Sequence, residues 1–216
     1  MTPLPPHMYI RPLGPADLDQ ILKLESRTLV PCERAGRDRN AYRLRVAPEL
    51  SAGMFVRVPA KGRQCNATVL NPAVRRDVSS DSSYSSEKLI GFIIAVKSDH
   101  EYMTDDAICV PEIDGHGKRK QGHENLGHVE YGRTIVVESL MVDPDYKGMK
   151  IGTIILRDFI QRMASQSVAQ RVSLLARPGA VKFYENLGFY DGGASNVKFA
   201  GGGWQNVCLD LDSSDE

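Results

Sequence analysis

The first third of the chain changes from strand-like to helix-like hydrophobic spacing and back again. Apolar and polar residues alternate just after the N-terminus, as in a half-buried strand, until Gly14 and Pro15 end the run. Leu18, Ile21 and Leu22 then follow at helical spacing. In chain order, the predicted elements are a strand over residues 8–13, helices over 16–28 and 37–46, and a strand over 54–58.

The rest of the chain predicts further strands and two more helices. The continuous apolar run at residues 89–96 is typical of a buried strand, and residues 151–164 carry one apolar helical face. The other predicted elements are strands over 134–142, 171–176, 189–190, 197–199 and 204–211, and a short helix over 179–186. Several strands followed by a β-α-β-α-β order predict an α/β (α+β) fold, with a mixed central sheet and helices on both faces.

Two polar stretches interrupt this pattern, at about residues 60–88 and 105–132. Residues 77–86 are rich in Ser and Asp, so they bury too little apolar surface to offset the entropy of ordering them. We therefore expect the first stretch to be a dispensable insertion in a hairpin. With both insertions included, residues 8–211 are predicted to form a single domain.

Composition and charge exclude several classes of protein. Lys plus Arg and Asp plus Glu both total 27 in 216 residues, so no global field draws the chain to nucleic acid or to an anionic membrane. The N-terminus lacks the apolar core of a signal peptide, and no apolar run approaches the length of a membrane span. The cysteines are scattered and indicate reduced thiols in a cytoplasmic protein: Cys32, Cys65, Cys109 and Cys208.

The segment with the strongest chemical signal is a strand, a short basic loop with glycines, and the start of a helix, at residues 140–153. Free backbone N–H groups and the helix dipole at such a helix start favour an anion. Lys147 and Lys150 add positive charge, while Gly148 and Gly152 let a diphosphate approach the backbone. Taken alone, such a loop would more often be an ordinary helix cap.

A second motif favours the anion-binding loop over an ordinary helix cap. Residues 142–148 are followed, at a characteristic separation, by Phe-Tyr-Glu-Asn-Leu-Gly-Phe at residues 183–189. Together they resemble the GCN5-related N-acetyltransferase (GNAT) superfamily. Four more segments narrow the resemblance to the arylalkylamine N-acetyltransferase family, in particular its fungal branch with yeast polyamine N-acetyltransferase: residues 9–13, 24–26, 31–35 and 48–55.

The resemblance implies a GNAT fold of about seven strands, acetyl-CoA as co-substrate without a metal, and a small primary amine as acceptor. It also implies that CoA binds along the strand, loop and helix start, at Leu140, Met141, Val142, Lys147, Gly148, Met149, Lys150, Ile151, Gly152 and Thr153. The chain departs from the family loop at two positions. Lys147 takes the place of Gln or Arg, and Lys150 takes the place of the first glycine.

Catalytic residues also follow from the resemblance. The histidine pair of the vertebrate enzymes is replaced by Val136 and Glu138, so Glu138 is the candidate base, with a solvent-facing residue or a substrate anchor as alternatives. Tyr184 matches the family tyrosine that protonates the CoA sulfur, although it could simply be a packed aromatic residue. Pro31 and Glu33 lie in a segment that resembles the mobile substrate loop and are expected to contact the substrate.

The identity of the acceptor remains open at this stage. Direct transfer in a ternary complex to an arylalkylamine, such as serotonin or tryptamine, or to a polyamine is the leading hypothesis. A protein lysine or N-terminal acetyltransferase and a non-catalytic acyl-CoA-binding module are the alternatives. His116, His123 and His128 fall in the second insertion, where polar loops usually hold solvated histidines, so no metal site is expected.

Overall fold

A computed structural model describes residues 7–59, 84–116 and 118–211 of the protein. Within these residues it contains one sheet of seven strands and five helices, so the predicted mixed sheet flanked by helices is confirmed. The strands are β1 (Met8–Pro12), β2 (Ser51–Pro59), β3 (Tyr84–Ser98), β4 (Thr134–Val142), β5 (Arg171–Ala176), β6 (Tyr190–Ala194) and β7 (Gln205–Asp210). The helices are α1 (Leu18–Thr28), α2 (Gly36–Val46), α3 (Asp105–Ile108), α4 (Ile151–Gln166) and α5 (Val181–Glu185).

The strand order in the sheet is β1-β2-β3-β4-β5-β7-β6. Strands β1 to β4 form antiparallel neighbours, whereas β4 and β5 run parallel and are joined through α4. A parallel pair needs such a crossover because its strands must start at the same edge of the sheet. The change from antiparallel to parallel pairing therefore falls at β4, in the middle of the sheet.

Each face of the sheet is covered by helices that bury an apolar stripe. Helix α4 lies on one face and buries Ile155, Phe159 and Met163 in the main core. Helices α1 and α2 lie on the other face, where Ile21 and Leu44 pack with Phe92. Fully burying one such side chain contributes about 1.5–3 kcal/mol, so both layers are needed to hold the sheet.

The structure differs from the prediction around residue 199 and at the start of β3. The strand predicted at residues 197–199 is wrong, because a 3-10 turn occupies Phe199–Gly201 and the glycines after it have positive φ angles. Such angles turn the chain away from an extended path. Strand β3 begins at Tyr84, so the last residues of the first predicted insertion extend the hairpin with β2. Residues 60–83 lie outside the described residues.

The second predicted insertion packs on the domain more closely than its polar composition indicates. The His128 backbone N–H donates to the Tyr42 hydroxyl at 3.1 Å, and its Nδ1 accepts from the Lys97 N–H at 3.1 Å. The expectation of a solvated histidine is therefore wrong for His128, which is buried. In the described part of the chain, no three His, Cys, Asp or Glu side chains lie close enough together to hold a metal ion.

Among the described residues, no helix has the length and apolar character to cross a bilayer.

Candidate active site

Strands β4 and β5 separate from each other halfway along their length. Their parallel pairing runs only from Thr134 opposite Arg171 to Val137 opposite Leu174. Both strands continue, β4 to Val142 and β5 to Ala176, without further pairing between them. A wedge therefore opens in the centre of the sheet, and the β4 backbone along it offers polar groups that require a partner.

A bulge in β4 marks the point where the wedge opens. Ser139 pairs with Ile94 of β3 and Val137 pairs with the next residue, Ala95, so Glu138 is the extra residue on the bulged strand. The bulge breaks the regular alternation of β4, so Leu140 does not share a face with Val136 and Glu138. Leu140 packs against the α4 side of the sheet, whereas Val136 belongs to a cluster on the opposite side.

On the α4 side, the wedge leads into a groove of about 510 Å³. It brings together most of the residues predicted to bind CoA, with two aromatic residues from α5. The lining residues are Leu140, Val142, Tyr146, Lys147, Gly148, Lys150, Ile151, Gly152, Thr153, Phe183 and Tyr184. Met141 and Met149 do not line this groove: the Met141 side chain is buried on the other face of the sheet, and Met149 packs against the main core.

The groove ends at the first turn of α4. The Ile154 N–H bonds to the Lys150 carbonyl at 3.0 Å, and the three amides before it have no backbone partner among the described residues. The N-cap residue Lys150 makes no capping hydrogen bond with its side chain in the described structure, and the partial positive charge of the helix start is directed at the groove. With Lys147 and Lys150 beside it, this end of the groove is suited to an anion.

Lys150 adopts the left-handed conformation, with φ 58° and ψ 20°. Glycine reaches this region at little cost, whereas a residue with a Cβ is strained there. The departure of this chain from the family glycine at position 150 therefore preserves the loop shape and carries a cost in stability.

The Lys150→Gly variant is expected to unfold at a temperature about 2 °C higher than the wild type, because relief of roughly 1 kcal/mol of strain raises Tm by that order in a domain of this size. Lys147 has an ordinary φ of −60°, so Lys147→Gly is the matched control and should lower the unfolding temperature. Differential scanning calorimetry of both variants measures the effect. A lower unfolding temperature for Lys150→Gly would contradict the expectation.

Tyr184 lies at the sheet end of the same groove. Its ring makes edge contacts with Phe183 and Phe189, at centroid distances of 5.0 and 5.8 Å. Burial raises the pKa of Tyr184 to about 12, so the phenol keeps its proton at neutral pH. Tyr184 is thus a packed aromatic residue that lines the groove with a protonated phenol, and its role as proton donor stays a prediction.

On the opposite side of the bulge lies a partly enclosed cavity of about 70 Å³. Its walls combine apolar and aromatic side chains with two carboxylates and two arginines. The lining residues are Glu33, Ala35, Arg39, Arg43, Met103, Ile108, Val137, Glu138, Ser139, Leu175, Phe199 and Trp204. Of the two predicted substrate contacts, Glu33 lines this cavity and Pro31 does not.

Glu138 forms an ion pair with Arg43 of α2, and both side chains are buried, at 3% and 2% exposure. The ion pair uses Oε2 of Glu138, and Oε1 has no hydrogen-bond partner among the described residues. Burial lowers the pKa of Arg43, neighbouring Arg39 lowers it further, and the charge of Glu25 opposes both effects. The alternative of a solvent-facing Glu138 is wrong.

Sequence reasoning missed Arg43, although a signal for it exists. Asn40, Arg43 and Leu44 share one face of α2 at helical spacing, and all three are buried. An arginine on the inward face of a helix needs a buried counter-charge, and the predicted base Glu138 was the available one.

Two loops close the cavity from above. Arg177, just after β5, donates to Glu33 Oε1 at 2.5 Å and stacks over Trp204 with its guanidinium carbon 3.6 Å from the ring centroid. Arg39 lies over Phe199 at 5.0 Å. These contacts join the segment around residue 33 to the loop of residues 199–204. Arg177 and Trp204 lie between strands, whereas Arg39 belongs to α2, so these contacts hold the loop of residues 199–204 against α2 and the segment before it.

The family of the protein follows from a sequence comparison. The model of the acetyltransferase (GNAT) family matches residues 75–189, slightly more than half of the chain. The chain therefore belongs to the GNAT acetyltransferase family, which supports an acyltransferase. The sequence matches none of the curated proteins with which it was compared. The narrower resemblance to arylalkylamine acetyltransferases stays a prediction.

Solved structures of low sequence identity share this fold. The loading GNATL domain of CurA from Lyngbya majuscula superposes with a TM-score of 0.62 at 12% identity, covering 95% of this chain and 98% of that one. The NatC complex bound to Gag peptide and CoA gives 0.58 at 16%, covering 94% and 98%. The PaiA N-acetyltransferase from Thermoplasma acidophilum in complex with coenzyme A gives 0.54 at 12%, also covering 94% and 98%.

Proposed function

We propose that this protein transfers an acetyl group from acetyl-CoA to a small primary amine that carries an aromatic ring. The observation that supports this most is the arrangement around the β4 bulge. The groove with the basic helix start lies on one side of it, and the cavity with Glu138 lies on the other. An acyl donor in the groove and an amine in the cavity would meet where β4 and β5 separate.

The groove fits the chemistry of CoA. The diphosphate would take the amides at the start of α4 together with Lys147 and Lys150, because both sources of positive charge lie at that end. The pantetheine arm has amide groups. They suit the N–H and C=O groups of Ser139 to Val142 that face away from β3 and have no partner on β5. Two structurally similar proteins were solved with CoA bound, which supports CoA as a ligand for this fold.

The cavity favours an arylalkylamine over a polyamine. Phe199 and Trp204 stack at a centroid distance of 6.4 Å and provide a flat apolar wall for an aromatic ring. Both lining carboxylates are already paired with arginines, Glu33 with Arg177 and Glu138 with Arg43. A polycation would have to displace these arginines, so charge balance argues against it.

The proposed reaction divides two proton transfers between the two sides of the bulge. Glu138 Oε1 accepts a proton from the amine, whose nitrogen attacks the thioester carbonyl carbon. As the carbon–sulfur bond breaks, Tyr184 donates its proton to the departing thiolate. Direct transfer of this kind needs both substrates bound together, and the two separate sites permit that.

A panel of acceptors tests the proposed function. The purified protein is incubated with acetyl-CoA and, in separate reactions, with tryptamine, serotonin, spermidine or a histone peptide, and the released thiol is measured. We expect turnover with the arylalkylamines and little with spermidine or the peptide. Turnover confined to the peptide would favour a protein acetyltransferase. Tight CoA binding without turnover of any acceptor would favour a non-catalytic acyl-CoA-binding module.

A further inference from the structure

The buried ion pair between Arg43 and Glu138 is not explained by the stability of the fold. Both partners are almost wholly removed from solvent. Replacing a buried ion pair with well-packed apolar residues of similar volume is often neutral or stabilising. The presence of Arg43 in the core therefore calls for a reason beyond stability.

We propose that Arg43 is a positioning residue for acetyl transfer: its guanidinium holds Glu138 Oε2, keeps the carboxylate charged, and leaves Oε1 directed at the substrate amine. This inference rests on the proposed function, in which Glu138 accepts the proton of the amine. It assigns to α2 a part in the chemistry that occurs on β4.

The helix that carries Arg43 is itself fixed in place. Asn40, one turn earlier in α2, donates to Glu25 Oε1 of α1 at 2.9 Å and to the Gly36 carbonyl at 2.9 Å. Glu25 Oε2 also accepts from the Gly36 N–H at 3.3 Å. The start of α2 is thus anchored to α1 through a buried carboxylate, and Arg43 approaches Glu138 from a fixed base.

The bulge gives the pair its direction. Because Glu138 is the extra residue on β4, its side chain reaches the α2 side of the sheet next to the point where β4 and β5 separate. With Oε2 held by Arg43, only Oε1 remains to accept a proton from a molecule in the cavity. A freely rotating carboxylate would offer either oxygen and spend less time in the productive orientation.

The charges around Glu138 come from several elements. Arg43 and Arg39 approach from α2, and Glu33 lines the same cavity from the loop before α2, already paired with Arg177. Glu25 of α1 acts electrostatically on Arg43 and Arg39. Tyr42 lies next to Arg43 in the chain and interacts with it electrostatically. Arg43 makes the direct contact with Glu138, so its removal should change the protonation of Glu138 most.

The decisive experiment follows the protonation of Glu138 without relying on turnover. The carboxyl carbon of Glu138 is observed by ¹³C NMR in glutamate-labelled protein and assigned by its loss in Glu138→Gln. In Arg43→Met the signal should titrate at a pH higher by about one unit or more, because a buried carboxylate without its counter-charge takes up a proton more readily. Arg43→Lys keeps the positive charge, so the Glu138 signal should titrate close to its wild-type pH. Arg45→Met, an exposed arginine on the same helix, should titrate like the wild type.

Kinetics with an accepted arylalkylamine give the second readout. Arg43→Met should lower kcat/KM at pH 7 roughly tenfold or more and move the acidic limb of its pH profile upward by the same amount as the NMR titration. In the Glu138→Gln background, adding Arg43→Met should cost less than about threefold, because a residue that acts through Glu138 has nothing left to position. The double variant buries no unpaired carboxylate, so it should fold even if Arg43→Met does not.

Two results would overturn the role of Arg43. One is an unshifted Glu138 titration in Arg43→Met, or in Arg43→Gln if Arg43→Met fails to fold. The other is a loss of activity of equal size with and without Glu138, constant across pH, which indicates a purely structural residue. Absence of turnover in the wild type would instead contradict the proposed function, and the NMR titration would still decide whether Arg43 controls the carboxylate.

Discussion

Replacing Glu138 with glutamine is expected to lower kcat by roughly 10²- to 10⁴-fold, the usual contribution of a general base. Glutamine keeps the size of the side chain and can still contact Arg43, but it cannot accept a proton from the attacking amine. The loss should shrink as pH rises, because more of the amine is then already neutral. Steady-state rates from about pH 6 to pH 9.5 cover the range in which this rescue should appear.

Tyr184→Phe provides the contrast for this prediction. It should also lower kcat, but high pH should not rescue it, because the missing proton belongs to the departing thiolate. The KM for the amine should change little if the hydroxyl acts mainly in the transition state. If Glu138→Gln keeps the wild-type kcat and raises only the KM for the amine, Glu138 is a substrate anchor, and the proton passes to water or to another group.

The Gly152→Glu variant is expected to weaken CoA binding by more than about 100-fold while the domain stays folded. An added Cβ at position 152 would lie 3.5 Å from Val142 Cγ2 and 3.9 Å from the Phe183 ring, both ordinary contact distances. The backbone therefore tolerates a side chain there. A carboxylate projecting into the groove would repel the diphosphate, and apposed like charges cost several kcal/mol.

Matched variants separate shape from charge at this position. Gly152→Ala should bind CoA nearly as the wild type does, and Gly152→Gln should lie between the alanine and glutamate variants, because it fills the groove without adding charge. Isothermal titration calorimetry with CoA gives the affinities, and circular dichroism checks the fold. If Gly152→Glu binds CoA as tightly as the wild type, CoA does not use this helix start.

Local patterns were sufficient for most of the fold. The β-rich run at residues 134–142 and the strand predicted at residues 171–176 match β4 and β5 with the boundaries that the structure shows. The helical spacing of apolar residues predicted α4, which packs one face on the sheet over its full length. These elements bury the same side chains whatever lies far away in the sequence, so their periodicity is visible locally. The strand predicted at residues 197–199 failed because three successive glycines, Gly201 to Gly203, allow a path that no periodicity reports.

The sequence by itself was enough to predict an anion-binding loop, because a strand, a basic glycine-bearing turn and a helix start are contiguous in the chain. It also identified Glu138 and Tyr184 as candidates through the motifs around them. Only the tertiary structure placed Arg43 against Glu138, since the two residues are brought together by packing α2 on the bulge of β4. It also decided that Leu140 and Glu138 lie on opposite faces of the sheet. A bulge arises from pairing between two strands, and the alternation of one strand alone does not contain it.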